Sequence, residues 1–124
     1  DRNPWTSVVL DAVAEHVTLP PRDPDAPGMY RCAAPGRVAS LYRAAGLRDV
    51  VEHDVEVDLV SASPAEYWDM ISEHVSLVAA ALRDVDPAAR DRIATTVQER
   101  VAAYVGADGL VHLPGAASVA VGTR

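Results

Sequence analysis

The sequence predicts an α+β fold with about four helices and two to three antiparallel strands. One observation behind this is the run 51–59, where the odd positions are apolar except for His53 and the even positions are all acidic. Such alternation is typical of a strand with one buried face and one face in water. The second observation is that the flanking segments carry apolar residues at helical spacing. The predicted order is helix, loop, helix, long strand, two helices and a terminal strand.

Two helices are predicted before the long strand. Residues 4–17 carry an apolar stripe, and Asn3-Pro4 has the residue types of a helix cap and first helical position. The proline-rich segment 18–28 is predicted as a loop. A second helix opens at Pro35-Gly36 and ends at Gly46, where a C′ glycine adopts positive φ at little steric cost.

The strand predicted over Val50–Val60 has two distinct faces. The odd face is expected to be buried, with His53 as a hydrogen-bonded core histidine. The acidic residues of the even face are expected to be solvated and to discourage aggregation, although they could also attract a cationic substrate or pair with arginines of a neighbouring strand. Two strands alone are marginally stable, so we expect others from a second chain or a missing segment. The odd face comprises Val51, His53, Val55, Val57 and Leu59, and the even face Glu52, Asp54, Glu56 and Asp58.

The remaining elements follow from local signals. Ser63-Pro64-Ala65-Glu66 is a capping-box pattern that begins a third helix, whose stripe runs from Trp68 to Val85. Asp86-Pro87 begins a fourth helix, which the glycines at 106 and 109 end. Residues 110–123 are predicted as one or two strands interrupted at Pro114-Gly115.

Composition excludes several classes of function. The net charge of −7 argues against binding to nucleic acid and to anionic membrane surfaces. The single cysteine, Cys32, cannot form an internal disulfide, which favours a cytoplasmic location, and no apolar run is long enough to span a membrane. Because the chain begins at Asp1 without methionine, we expect it to be processed or cut from a longer protein.

Four stretches together resemble the C-terminal half of class I S-adenosylmethionine-dependent methyltransferases of the small-molecule type. Residues 35–50 resemble the helix and Ala-Gly-Phe-like turn before the sixth strand, with Ala45-Gly46-Leu47 at the turn. Residues 63–68 look like a helical insertion, and residues 108–124 look like the closing seventh strand. Asn3-Pro4-Trp5 resembles the start of the helix after the fifth strand.

The resemblance implies that the chain is a single domain, 1–124, derived from a doubly wound, Rossmann-like parent, with a helical insertion over 62–108. In such a parent a substrate oxygen, nitrogen or carbon attacks the cofactor methyl group directly. The family's Asp-x-Gly-x-Gly turn has no counterpart among the scattered glycines here. We therefore expect S-adenosylmethionine to serve the parent protein and not to bind this chain alone.

Candidate site residues lie on the third helix, near its start, and, in the case of Tyr30, in the loop between the first two helices. Tyr30, Tyr67, Trp68 and Met70 are predicted to contact a small-molecule substrate, because such pockets are apolar with a few polar groups. His74 is the candidate general base, since histidine titrates near neutrality. Each has a structural alternative: core packing for the aromatic residues, and a surface or packing role for His74. The other histidines are dispersed, and no metal or cofactor site is predicted in this chain.

Two other functions remain open. The chain is alternatively a stand-alone ligand-binding or interaction module that dimerises through its strands, or pairs through them with the missing N-terminal half. A third possibility is a small polyketide-cyclase-like α+β enzyme with His74 as base, which the low strand count disfavours.

Overall fold

The computed structural model describes residues 2–19 and 26–124. Within these ranges the fold is α+β, as predicted, with five α-helices and one two-stranded antiparallel sheet. The elements are, in chain order, α1 (Pro4–Ala14), α2 (Arg37–Ala44), β1 (Arg48–Ser61), α3 (Pro64–His74), α4 (Ser76–Leu82), α5 (Pro87–Val101), a single 3-10 turn (Ala102–Tyr104) and β2 (Val111–Thr123).

The helix caps follow the local sequence signals. The Ser63 hydroxyl accepts the Glu66 N–H at 3.1 Å, and the Glu66 carboxylate accepts the Ala62 N–H at 2.8 Å. Asp86 accepts the Ala89 N–H at 3.0 Å in the same manner. Gly46 follows α2 with φ of +84°, as predicted for a C′ glycine. The side-chain caps join residues no more than four positions apart, so the local sequence is enough to predict them.

The cap of α1 works differently from the prediction. Asn3 is the N-cap residue and Pro4 the first helical residue, but the Asn3 side chain makes no cap hydrogen bond to the helix. Its Oδ1 instead accepts the indole N–H of Trp5 at 3.2 Å. The sequence therefore predicted the position of this helix start but not the use of the amide.

The predicted third helix is two helices, which makes the helix count five instead of four. Val75 interrupts the run with extended backbone angles (φ −91°, ψ 104°). Its N–H still bonds to the Ile71 carbonyl, and its own carbonyl accepts the N–H of Val78 at 2.9 Å. One apolar stripe continues across the break because Ile71 and Val78 are both fully buried. Both halves of the stripe are therefore in the core although the helix is interrupted.

The chain divides into two compact units, and the first, Asp1–Pro20 with Asp58–Gly115, holds the hydrophobic core. In it α1 packs on α4 and α5, and α3 packs on the same two helices. Burial of an aliphatic side chain of this kind contributes roughly 1.5–3 kcal/mol. The fully buried residues of this core include Val9, Val13, Tyr67, Ile71, Val78, Ile93, Val97, Val101, Val111 and Leu113.

The second unit, Pro21–Val57 with Ala116–Arg124, contains α2, most of β1 and the end of β2. Among its described residues Ala39 alone is buried. Polar contacts join its strands: the Ser118 hydroxyl donates to Asp54 at 2.8 Å, and the Thr123 hydroxyl donates to Asp49 at 2.9 Å. This unit therefore depends more on hydrogen bonds than on apolar burial.

The prediction that the odd face of the long strand is buried is wrong in this second unit. Val51 is 61% exposed and Val57 50% exposed, while His53 is exposed and is not a core histidine. On β2, Val121 is 58% exposed. The helix of this unit is bonded to Glu52, on the even face, so it does not cover the odd face. Leu59, in the first unit, does pack partly against the core.

None of the helices in the described ranges is long and apolar enough to cross a membrane. The terminal segment, for which one or two strands were predicted, is a single strand that continues through Pro114 and Gly115.

Candidate functional site

The aromatic start of α3 lies in the core of the first unit. Tyr67 is fully buried, and its hydroxyl donates a 2.5 Å hydrogen bond to the carbonyl of Trp5 at the start of α1. A buried tyrosine hydroxyl needs such a partner. Tyr67 thus joins α3 to α1, and its predicted contact with a substrate stays a prediction.

Trp68 is buried at the edge of the same core, with 8% of its surface exposed. The guanidinium of Arg90, on α5, lies 5.9 Å from the centre of its ring. This distance is within the range of a cation–π contact, which is worth about 0.5–1 kcal/mol at partly exposed sites. Trp68 and Arg90 together form the part of the predicted site where an aromatic face meets a positive charge.

Met70 and His74 occupy the remaining length of α3. Met70 is partly buried and packs against the core, whereas His74 is exposed at the last residue of the helix. A cationic histidine at that position would interact favourably with the helix dipole. The proposed role of His74 as a general base stays a prediction.

Tyr30 belongs to the second unit, so the five predicted site residues divide between the two units. It is half-buried in a short turn, where the Ala33 N–H donates to its carbonyl at 3.1 Å and the Arg31 N–H donates to the Gly28 carbonyl at 3.2 Å. The other four predicted residues lie on α3 in the first unit, whereas Tyr30 precedes them in the sequence and belongs to the second unit.

A cluster that sequence reasoning missed lies in the first unit, around His112 on β2. Its Nδ1 is 2.7 Å from a carboxylate oxygen of Asp58 on β1, and its Nε2 is 3.0 Å from a carboxylate oxygen of Asp108 in the preceding turn. By sequence spacing alone, His112 is one of several dispersed histidines. The available signal was the spacing of Asp108 and His112, four residues apart across the turn that contains Gly109.

The two carboxylates shift the acid–base equilibria of this cluster. Hydrogen bonds from the imidazole to Asp58 first and Asp108 second raise the pKa of His112 above its usual value. The Leu110 N–H and then His112 lower the pKa of Asp108. All three side chains are partly exposed, between 37% and 52%, so solvent screens these interactions substantially.

The acidic residues of the even strand face are mostly exposed, as predicted, and several of them also have individual protein partners. Glu52 accepts the N–H groups of Gly36 and Ala39, at 2.9 and 2.7 Å, and so caps α2. Asp54 accepts the Ser118 hydroxyl, and Asp58 binds His112. Three of the four carboxylates therefore have protein partners, and their role in attracting a cationic substrate is less favoured.

No group of three or more histidine, cysteine, aspartate or glutamate side chains in the described residues is arranged to hold a metal ion. Comparison with known proteins gives no relatives: no family model matches the sequence, and neither a curated protein nor a solved structure matches it.

Proposed function

We propose that this chain is the C-terminal, substrate-recognition portion of a small-molecule methyltransferase that uses S-adenosylmethionine. The proposal rests on the resemblance of four stretches in a fixed order along the sequence. In the proposed parent the sheet would be doubly wound and the protein cytoplasmic.

The observation that carries the proposal is the arrangement of the two strands around a helical segment. Ala45-Gly46-Leu47 leads into β1 through a glycine with φ of +84°. The helices α3, α4 and α5 follow, and β2 then returns antiparallel to β1 at the end of the chain. This order supports a late, antiparallel strand pair with a helical insertion, which is what the resemblance implies.

The connection from β1 to α3 lacks the glycine-rich turn that the proposed family uses for its cofactor. The family binds S-adenosylmethionine at a glycine-rich turn between a strand and a helix, where backbone approaches the ligand closely. Here β1 passes to α3 through Ala62 and Ser63, whose backbone and hydroxyl are engaged with Glu66 and the helix cap. In this proposal the residues for methyl transfer to the substrate are therefore shared with another segment of the parent.

The roles we assign on α3 are substrate contact for Trp68 and Met70, and proton removal for His74. The substrate contact expected of Tyr30, in the second unit, stays a separate prediction. Tyr67 supports them by holding the start of α3 against α1 through its bond to the Trp5 carbonyl. Trp68 is the strongest of these candidates, because its ring lies at the edge of the core beside the Arg90 guanidinium.

Titration calorimetry tests the division of labour between this chain and its proposed parent. We expect no heat of binding when S-adenosylmethionine is added to this chain. A protein that also includes the residues encoded upstream of Asp1 should bind it, and a variant of its glycine-rich turn is the control. Micromolar binding by the chain alone, or an upstream sequence without a strand and an Asp-x-Gly-x-Gly turn, would contradict the proposal.

A second candidate, a binding module that dimerises through its strands, is favoured by the exposed valines of the second unit. Val51, Val57 and Val121 are all at least half exposed, and exposed apolar side chains that form a patch often mark interaction surfaces. Sedimentation of the chain alone tests the module: it requires a dimer that persists on dilution, and a monomer would contradict it. No observation favours the cyclase-like alternative.

A further inference from the structure

His112 is held at both ring nitrogens by carboxylates from different parts of the first unit. Asp58 on β1 binds Nδ1 at 2.7 Å, and Asp108 in the turn before β2 binds Nε2 at 3.0 Å. The two acidic residues lie 54 and 4 positions from His112 in the sequence. One imidazole therefore links a strand, its neighbour and the turn that leads into that neighbour.

The number of protons on the ring follows from this geometry. An ionised carboxylate accepts hydrogen bonds and cannot donate them, and a neutral imidazole carries only one N–H. Both contacts are made at full strength only when His112 carries two protons and a positive charge. Neither nitrogen then has a free lone pair, so His112 in this arrangement is not a general base.

The turn is built tightly around the same contacts. The second oxygen of Asp108 accepts the Leu110 N–H at 3.1 Å, which orients the carboxylate. Gly106 donates its N–H to the Leu110 carbonyl at 2.8 Å, and Gly109 turns the chain with φ of +83°. A side chain at Gly106 would lie 2.9 Å from Asp108 and 3.1 Å from the His112 ring. A side chain at position 106 would therefore require the Asp108 carboxylate and the His112 ring to shift.

We propose that Asp58, His112 and Asp108 form a proton-dependent clamp that fastens the turn 105–111 to the strand pair and loosens when His112 loses a proton. The clamp is independent of the proposed methyltransferase function, since it involves none of the residues assigned to substrate. Its effect is to make the mobility of the turn a function of pH.

The pH window of the clamp follows from the two shifts. Asp58 and Asp108 are the charged groups that act on His112 from β1 and from the turn, in the described part of the chain. Because the pKa of His112 is raised by folding, its contribution is fully present below about 6.5 and is lost as the pH rises through the raised value. Because the pKa of Asp108 is lowered, its contribution is present above about 3.8 and is lost as the pH falls through the lowered value. The clamp is therefore closed between the lowered pKa of Asp108 and the raised pKa of His112.

Nuclear magnetic resonance of the full chain tests the clamp through two readouts. The ring protons of His112 should titrate above the usual value of about 6.5. Backbone ¹⁵N relaxation of Ala107 to Leu110 should report an ordered turn at about pH 5 and greater mobility at about pH 9, on either side of the range in which histidine changes charge. A purely structural histidine would not couple the motion of the turn to its titration.

Matched variants separate the clamp from a general effect of charge. Asp58→Asn removes the first cause of the raised value and should therefore lower the pKa of His112, while Glu99→Gln, at an exposed carboxylate on α5, should leave it unchanged. His112→Gln should leave the turn equally mobile at both pH values. Titration of His112 at or below 6.5 in the unmodified chain, or a turn with the same mobility at both pH values, would overturn the proposal, and neither result depends on whether a variant folds.

Discussion

Replacing Glu52 by glutamine should loosen the start of α2 while leaving the first unit intact. The Glu52 carboxylate accepts the N–H groups of Gly36 and Ala39, at 2.9 and 2.7 Å, and these are two of the helix donors that have no partner within the helix. The amide of glutamine keeps one acceptor oxygen and places an NH₂ group against the other N–H. One charged hydrogen bond is lost and the second becomes neutral.

The magnitude of this loss can be bounded from the exposure of the contacts. A hydrogen bond to a charged group contributes about 1.5–3 kcal/mol, and removal of a helix cap costs about 0.5–2 kcal/mol. The Gly36 contact is exposed, so water replaces it easily, whereas the Ala39 contact is partly buried. We therefore expect a loss of about 1–2 kcal/mol, equivalent to roughly 5- to 30-fold in the equilibrium for opening α2.

Native-state amide hydrogen exchange measures this opening directly. The amides of Ala39 and Ser40, at the start of α2, should exchange about 5- to 30-fold faster in the Glu52→Gln variant. The internal reference is the backbone N–H of Arg90 in α5, which donates to the carbonyl of Asp86, the N-cap residue of that helix. Glu56→Gln removes a carboxylate from the same strand and is the matched control. Unchanged exchange at Ala39, or an equal acceleration in the Glu56 variant, would refute the capping argument.

Two further substitutions test contacts in the first unit. Tyr67→Phe removes the hydroxyl that donates to the Trp5 carbonyl and leaves that carbonyl without this donor. We expect a loss of about 1–2 kcal/mol in the free energy of unfolding measured with urea. A free energy of unfolding within error of the unmodified chain would contradict a bond of this kind. Ser63→Ala removes the hydroxyl that caps α3 and should cost about 1 kcal/mol in the same assay, whereas Ser76→Ala, at a helix start without a side-chain cap, should change it less.

The positions of the elements were largely predictable because the signals that set them are local. The Ser63 and Asp86 caps, the glycine after α2 and the long strand all depend on residues a few positions apart, and the structure confirms them. The break at Val75 was not predicted, because a continuous apolar stripe fits one long helix as well as two helices that bend around a core.

The environment of each strand face was not predictable from alternation. A period of two indicates that one face differs from the other, but whether the apolar face is covered depends on where the other elements lie. Leu59 packs against the core of the first unit, whereas Val51, in the same strand and on the same face, is 61% exposed in the second. The sequence pattern at the two residues is the same.

For the candidate site residues too, some properties follow from the local sequence and others depend on distant contacts. Sequence alone located the aromatic start of α3 and determined that Ser63 caps it, because both are properties of one short segment. Only the tertiary structure showed that Tyr67 is enclosed and bonded to Trp5, that Glu52 caps a helix 13 to 16 residues away, and that Asp58 meets His112 across 54 residues. Sequence spacing carries no information on such contacts, because the strand pairing and helix packing that bring the partners together arise from the whole chain. For this protein, local chemistry determined the elements, and the packing of distant segments decided which acidic and aromatic side chains are structural.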